Sequence, residues 1–171
     1  MSTETTEKDR MHALALRTVE GIEAEAAAIR LLERAEGDTL ADIRDEGGQD
    51  AVDAVIAARD TLELEALDAE HGEDETGDVA DGLDERKDQL RFEGPLSIRR
   101  YGYNDGNGWE TESVTIVLGT GGPHIEVQYR GDRATAVAYG WFGADRVELP
   151  VDADAVNVLF GVDDLYNDLM D

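Results

Sequence analysis

The segment Gly119-Thr120-Gly121-Gly122-Pro123 contains the residue types that come nearest to a known binding chemistry. Consecutive glycine amides can line an anion site, as they do in phosphate-binding loops. Such loops lead into a helix and carry Lys followed by Ser or Thr, whereas the residues from His124 to Val127 have the pattern of a strand. We therefore interpret the segment as a structural glycine loop between two strands, where glycine supplies positive φ.

The three histidines, His12, His71 and His124, lie far apart, and none is at metal-ligand spacing from another. His124 is a candidate general acid or base beside the glycine loop, although a lone surface histidine is the commoner reason for such a residue. The chain has no cysteine and no serine nucleophile motif. We therefore expect no catalytic site, no metal and no cofactor, and we predict that the protein is not an enzyme.

Aromatic residues are the remaining candidates for a site, because Trp and Tyr dominate both protein cores and binding hot spots. Trp109 follows the polar residues 104–108 and is the best candidate for exposure in a loop. A core role for the other aromatic residues stays open. The predicted binding surface consists of Tyr103, Trp109, Tyr139, Trp141 and Phe142.

The charge of the chain is extreme, with 41 acidic and 15 basic residues and a formal net charge of −26. Only two basic residues are lysine, Lys8 and Lys87, and thirteen are arginine. This composition is typical of organisms that keep molar salt inside the cell. At about 1 M salt the Debye length falls to about 3 Å, so neighbouring carboxylates hardly repel one another. We interpret the acidity as adaptation to salt.

No stretch of the sequence approaches the roughly 18 apolar residues of a membrane-spanning helix. The first residues, Met1 to Glu7, have neither the basic nor the apolar region of a signal peptide. We therefore expect a cytoplasmic protein, in a host cell or associated with a virion, that does not contact a membrane.

The chain changes character near Phe92, because all ten aromatic residues and all three prolines occur at or after it. Before it, apolar residues recur every three or four positions from Met11 to Ile29 and predict a helix over 8–36. Gly37-Asp38 predicts the end of that helix, and Gly47-Gly48 predicts a break before a second helix capped by Asp50. The acidic, glycine-containing stretch 71–81 predicts a linker or loop, and a short helix is predicted over 84–91.

After Phe92 the apolar residues alternate, which predicts four or five antiparallel strands. The sequence Gly131-Asp132 suits a two-residue turn. This turn would place Ile125, Val127 and Tyr129 opposite Ala138, Ala136 and Ala134, small residues that leave room for a helix. The other face would then carry Val137, Tyr139 and Trp141 beside Glu126 and Gln128.

A last helix, capped by Asp152 or Asp154, completes the predicted fold, which is α+β. It has a helical N-terminal half, an antiparallel β-meander of four to five strands and a C-terminal helix packed on the sheet. The predicted division is an acidic helical region over 1–93, made of a helical hairpin and a linker, and an α+β domain over 94–171. The N-terminal helices could also pair with those of a second copy.

Residues 95–149 resemble an uncharacterised family of small proteins from phages, prophages and plasmids with a Leu-x-Thr-Gly-Gly-Pro core. The resemblance rests on Leu118-Gly119-Thr120-Gly121-Gly122-Pro123, on Pro95-Leu96-Ser97-Ile98 with the arginines and tyrosines that follow, and on Trp141-Phe142. The Gly-Trp after the arginine and a second late Trp are not kept. The resemblance implies a mobile-element setting, here haloarchaeal, and an accessory role.

These observations lead to two functional hypotheses. The first is a non-enzymatic accessory protein of a haloarchaeal virus or mobile element that binds another protein, for instance in anti-defence, and does not bind nucleic acid directly. In a sharper form its carboxylates mimic a nucleic-acid duplex. The alternative is a structural or assembly component, such as a minor virion protein or an oligomer formed by the helical stripe from Met11 to Ile29.

Overall fold

The computed structural model describes residues 6–65, 67, 77–104, 106, 109–120, 124–131, 135–142 and 145–167. Its fold is α+β, as predicted, with helices before and after a five-stranded antiparallel sheet. The elements are α1 (Glu7–Arg34), α2 (Leu40–Thr61), α3 (Leu83–Phe92), β1 (Ser97–Asn104), β2 (Trp109–Gly119), β3 (His124–Arg130), β4 (Thr135–Phe142), β5 (Asp145–Val151), α4 (Ala153–Phe160) and α5 (Val162–Asn167).

The chain forms two compact units. One comprises residues 1–23 and 90–171 and contains the sheet, which we call the sheet unit. The other comprises residues 24–89 and is helical. Helix α1 contributes residues to both units, so the compact units follow a different division from the one predicted at 93/94, which stays a prediction.

The apolar stripe of α1 explains why this helix forms, because every third or fourth residue is removed from water. Met11, Ala15, Val19, Ile22, Ala26 and Ile29 are all buried. The predicted helix over 8–36 agrees with the observed element to within two residues at each end. The stripe is covered within the single chain, so it no longer supports an oligomer formed through it.

Helix α2 begins ten residues earlier than the predicted cap at Asp50. Thr39 is its N-cap and forms a capping box with Asp42, in which each side chain accepts a hydrogen bond from the other's backbone N–H. The expected break is present inside the helix, where Gly48 has a φ of 74° that a residue with a Cβ rarely adopts. The break was therefore predicted correctly, whereas the predicted cap at Asp50 lies inside the helix.

A buried arginine organises the end of the helical unit. The Arg59 guanidinium donates hydrogen bonds to the carbonyl oxygens of Val79 at 2.7 Å, Asp81 at 3.1 Å and Glu65 at 2.7 Å. Val79 is completely buried. The predicted linker thus contains a core residue at its described end, while residues 71–76 lie outside the described part of the chain.

The sheet is a meander in the order β1-β2-β3-β4-β5, so β1 and β5 are its two edges. The predicted register of the β3–β4 hairpin is wrong by two residues, because Val127 pairs with Ala138 and Arg130 with Thr135. The connection therefore has four residues instead of two. Side chains alternate with a period of two, so the shift leaves the predicted faces unchanged.

The helices of the sheet unit pack on one face of the sheet. Met11 and Ala15 of α1 pack on Val147 and Leu149 of β5, and Gly140 leaves the space that the Met11 side chain occupies. Asp152 caps α4 as predicted, and Gly161, in the left-handed region, ends this helix before α5. The Tyr129 hydroxyl donates to the Asp163 carboxylate of α5.

Candidate binding surface

The opposite face of the sheet contains two of the predicted site residues, each in contact with a cationic or titratable partner from a neighbouring strand. The imidazole of His124 stacks on the indole of Trp141, with ring centroids 4.0 Å apart and planes inclined by 17°. The guanidinium of Arg146 lies 4.5 Å from the centroid of the Tyr139 ring. Both aromatic side chains are half-buried, so one ring face of each is already occupied.

Carboxylates complete these two clusters. Glu126 lies 3.3 Å from Nε2 of His124, and Glu148 lies 3.0 Å from the guanidinium of Arg146. Each aromatic ring thus has a basic group against it and a carboxylate beside that group. The charges of Arg146 and Glu148 therefore offset each other.

The structure separates the other predicted site residues. Tyr103 lies on β1, at the far side of the sheet from Tyr139 and Trp141. Trp109 is not in a loop, because it pairs with Asn104 as the first residue of β2. Phe142 pairs with Asp145 at the end of β4. The side chains of Trp109 and Phe142 are outside the described part of the structure.

The glycine loop connects two adjacent antiparallel strands, as its sequence indicated. Gly119 ends β2 and is displaced in register against Ile125 of β3, and Thr120 is exposed. Gly121, Gly122 and Pro123 lie outside the described residues. A strand follows the loop, so the helix N-terminus on which a phosphate loop depends is not there.

Exposed apolar side chains are concentrated at the opposite edge of the sheet. Of the large hydrophobic side chains that are exposed in the described residues, four belong to β1 or to the segment that leads into it: Phe92 at 70%, Leu96 at 61%, Tyr101 at 48% and Tyr103 at 52%. Tyr101 and Tyr103 lie on the same face of β1, and exposed apolar groups that lie together mark interaction surfaces. We call this set, together with Arg99 and Arg100, the β1 edge.

The β1 edge is also the basic part of the chain. Strand β1 contains Arg99 and Arg100 and no acidic residue, and it is the only described element whose side chains carry a net positive charge. Residues 94–104 contain no carboxylate, in a chain that has 41. A surface with this local charge attracts an anionic group even though the chain as a whole is acidic.

A groove of about 250 Å³ lies beside β1 and is lined by Arg91, Phe92, Ile98, Arg100, Phe160 and Leu165. Phe160 belongs to α4 and Leu165 to α5, and Ile98 and Arg100 lie on one face of β1, so the groove lies between that face of the strand and these helices. Arg91 bonds to Asp164 and Arg100 to the carbonyl of Leu165, each at 3.4 Å. A guanidinium has five N–H donors, so both arginines can donate hydrogen bonds to further groups.

Gly161 lies against Arg91, one of the residues that line the groove. Gly161 has a φ of 59°, and a Cβ at this position would lie 2.4 Å from the Arg91 guanidinium. Glycine is therefore needed both for the backbone turn between α4 and α5 and for the position of Arg91.

A bulge in the β1–β2 pairing after Tyr101 brings Gly102 against the carbonyl oxygen of Glu110.

Sequence reasoning identified only Tyr103 of this edge as a site residue. Phe92, Leu96, Arg99, Arg100 and Tyr101 were not assigned to it. The available signal was the combination of two adjacent arginines, Arg99 and Arg100, with the absence of carboxylates from residues 94–104, since the other carboxylate-free stretches of this length, 113–125 and 133–144, contain no such pair. Which strand would be an edge strand could not be read from that signal.

A larger cleft, of about 660 Å³, lies in the helical unit. It is lined mainly by charged residues, including Arg59, Glu63, Asp81, Glu85 and Arg86. Burial raises the pKa of the nearby Glu25 carboxyl, the positive charge of Arg86 lowers it and the negative charge of Glu63 raises it further. The described residues contain no group of three or more His, Asp or Glu side chains that could hold a metal ion.

No described helix is both long enough and apolar enough to cross a membrane. In comparisons with known proteins, no family model matches the chain, and neither a curated protein nor a solved structure matches it.

Proposed function

We propose that this protein is an accessory protein of a haloarchaeal virus or mobile element that acts by binding another protein at the β1 edge. The observation that carries the proposal is the exposure of Phe92, Leu96, Tyr101 and Tyr103 around one edge strand. Removing such side chains from water contributes about 25 cal/mol for each Å² that a partner covers. The resemblance of residues 95–149 to proteins of mobile elements supports the accessory role.

The charge of the β1 edge favours a partner surface with carboxylates. A duplex mimic would instead present its own carboxylates to a basic partner. The exposed aromatic and aliphatic groups lie where Arg99 and Arg100 are, not where the acidic side chains are. We therefore propose that the protein binds another protein through this edge and that it does not mimic nucleic acid.

A structural or assembly role is the second candidate, and a different observation favours it. Leu14 and Leu16 of α1 are exposed, at 37% and 40%. They are two residues apart, so they point to different sides of the helix and flank the buried stripe. Light scattering at molar KCl tests this role: a stable monomer contradicts it, and an oligomer that Leu14→Ser with Leu16→Ser dissociates supports it.

The test of protein binding compares two edges of the same sheet. A tagged protein and its variants are used to capture partners from haloarchaeal extract kept at molar KCl throughout. We expect a partner that is captured by the unaltered protein and by Arg146→Glu at β5, but not by the pair Leu96→Ser and Tyr101→Ser. These β1 residues are exposed, so their replacement should change the free energy of unfolding by less than about 0.5 kcal/mol.

The result that would contradict the proposal is equally specific. Capture that survives the β1 changes and is lost with Arg146→Glu would place binding at the other edge. Capture of no protein by any version would remove protein binding as the function.

A further inference from the structure

We propose that the partner contributes an extended acidic segment, which pairs along the free edge of β1 as a sixth strand and places one apolar side chain in the groove. This inference rests on the proposed function and specifies the chemistry of the partner. It brings together three features of β1 and its surroundings: the position of this strand at the edge of the sheet, an apolar groove beside it and guanidinium groups near both.

The backbone of β1 is suited to strand addition. The strand is eight residues long and is hydrogen-bonded to β2 on one side only. An extended peptide at such an edge gains main-chain hydrogen bonds for most of its length, and pockets beside the edge select alternate side chains. The free edge of β1 therefore supplies affinity, while the groove supplies selectivity.

The groove has the size and lining for a single large apolar side chain. Its volume is about 250 Å³, and Ile98, Phe160 and Leu165 form its apolar surface. A cavity of roughly 150 Å³ already accepts benzene. The side chain of a leucine, methionine or phenylalanine in the added strand fits this space.

Guanidinium groups lie on both sides of the position that the added strand would take. Successive side chains of a strand point to opposite faces, so Arg99 and Tyr101 lie on one face while Ile98 and Arg100 lie on the other. Arg91 lines the groove as well. Carboxylates at adjacent positions of the partner strand would therefore meet Arg99 on one face and Arg100 on the other, in charge-assisted hydrogen bonds.

The same charges argue against a second copy of this chain as the occupant. Pairing of β1 with β1 would bring four arginines from Arg99 and Arg100 to one seam with no carboxylate between them. Like charges directly opposite each other in a sheet are destabilising. An acidic peptide from another protein avoids this repulsion.

Nucleic acid fits the edge less well than a peptide. The main-chain N–H and C=O groups of β1 have the same spacing as those of another extended peptide strand. The groove beside them is lined in part by apolar side chains. A single nucleic-acid strand carries one charge about every 3.4 Å, and it gains little from a strand with two arginines in a chain of net charge −26. The peptide uses the backbone, the groove and the charges together.

At molar salt the charges act only at contact. The Debye length is about 3 Å at 1 M, so arginine attracts carboxylates that touch it and none further away. Backbone pairing and the buried apolar side chain must then provide most of the affinity. We expect the affinity to change less than about tenfold between 1 and 3 M KCl.

The test is fluorescence anisotropy in molar KCl with a labelled peptide of about ten residues. The peptide has a pair of adjacent Asp or Glu residues on each side of one central leucine, so that each pair places a carboxylate on both faces, and Val or Thr at its other positions. We expect saturable binding that Arg99→Glu combined with Arg100→Glu weakens by at least about tenfold. Arg146→Glu, at the other edge, is the matched control and should bind as the unaltered protein does. Circular dichroism checks that each variant is folded.

Three altered probes separate the parts of the inference. Replacing the acidic residues by lysine should weaken binding by at least about tenfold, as the arginine changes do, and replacing the central leucine by serine should abolish it. N-methylation of alternate peptide groups should abolish binding, because it removes main-chain donors and leaves the side chains in place. Equal binding of the N-methylated peptide, or of the lysine peptide, would overturn strand addition by an acidic segment.

Other results assign the edge to a different occupant or leave the proposed function standing alone. Binding of a labelled oligonucleotide in place of the peptide overturns the inference, as does dimerisation that Arg99→Glu with Arg100→Glu strengthens. A partner captured from extract in a β1-dependent manner, together with no binding of any acidic peptide, retains protein binding and rejects the strand mode. Failure of both experiments rejects the proposed function itself.

Discussion

The two edges of the sheet share one architecture and differ in how their side chains are used. At the β5 edge, Met11 and Ala15 cover Val147 on one face, while Arg146 on the other face contacts both Tyr139 and Glu148. At the β1 edge, Phe92, Leu96, Tyr101 and Tyr103 remain exposed beside two arginines. An edge strand normally needs protection from unwanted pairing. The two strands are both at an edge of the sheet, so the difference lies in their side chains: those of β5 have partners within the chain, whereas the apolar side chains around β1 remain exposed.

The largest change is expected from a substitution that breaks the β1 edge from within. A Cβ at Gly102 would lie 2.0 Å from the carbonyl oxygen of Glu110, so Gly102→Ala must separate β1 from β2 at the bulge. We expect a loss of about 3 kcal/mol in the free energy of unfolding, measured by chemical denaturation at molar KCl. Gly21→Ala is the control, since a Cβ there meets nothing within 4 Å. That substitution should stabilise α1 by about 0.5–1 kcal/mol. Equal effects of the two changes would contradict the close contact.

The β5 edge is expected to lose stability when its cover from α1 is cut back. Met11 is buried against Val147, so Met11→Ala should lower the free energy of unfolding by about 2 kcal/mol through lost burial and a residual cavity. Leu14→Ala on the same helix is the control, because Leu14 is exposed and should cost less than about 0.5 kcal/mol. Thermal unfolding of the three proteins measures the difference. A smaller loss for Met11→Ala than for Leu14→Ala would show that α1 does not protect this edge.

A smaller effect is expected where the β5 edge neutralises its own charge. Arg146 and Glu148 are both more than half exposed, so solvent screens their attraction. Arg146→Ala should cost about 0.5 kcal/mol or less, most of it from the lost contact with Tyr139. Chemical denaturation of the single and double variants with Tyr139→Leu measures this coupling. No coupling between the two positions would mean that the ring does not hold the guanidinium.

The smallest effect, which should leave both edges intact, is expected from Glu25 in the helical unit. Burial raises the pKa of this carboxyl above 4.5, so the folded state holds its proton more tightly than the unfolded state does. Its favourable contribution is complete below the unfolded pKa and is lost as the pH rises through the folded pKa. Glu25→Gln should therefore stabilise the protein at pH 7 by less than about 0.5 kcal/mol, because the carboxyl is only half-buried and solvent screens its charge. It should also remove this part of the pH dependence between pH 4 and 7, as measured by denaturation at a series of pH values. Lower stability of Glu25→Gln at pH 7 would contradict the direction, and peptide binding at β1 serves as the control that does not change.

The sequence predicts elements better than it predicts their ends. The period of the α1 stripe is set by the helix itself, so its burial could be predicted before any packing was known. The start of α2 was missed because Thr39 and Asp42 form a capping box that local hydrophobicity does not reveal. In the β3–β4 hairpin, Gly131-Asp132 suggested the shortest turn, whereas the pairing of Arg130 with Thr135 makes the connection longer. The faces survived this error because a shift of two residues preserves the alternation.

The candidate site was only partly within reach of the sequence. Aromatic residues were the right type to consider, but Tyr139 and Trp141 have partners on neighbouring strands, His124 and Arg146, that only the register brings together. Tyr103 belongs to the exposed edge, and Tyr101, Phe92 and Leu96 are exposed with it. Composition could not distinguish the covered tyrosines from the exposed ones, because the residue type does not show whether a cation or solvent lies against the ring.

By itself, the sequence determined the acidic composition, the helical stripe, the alternation of the strands and the absence of carboxylates from residues 94–104. These are properties of single residues and of short periods, and they need no knowledge of distant neighbours. Tertiary structure alone decided that β1 is an edge, that the groove beside it is open and that the β5 edge is covered. Strand order, covering helices and residual exposure depend on contacts between residues far apart in the chain, and a local pattern carries no information about them.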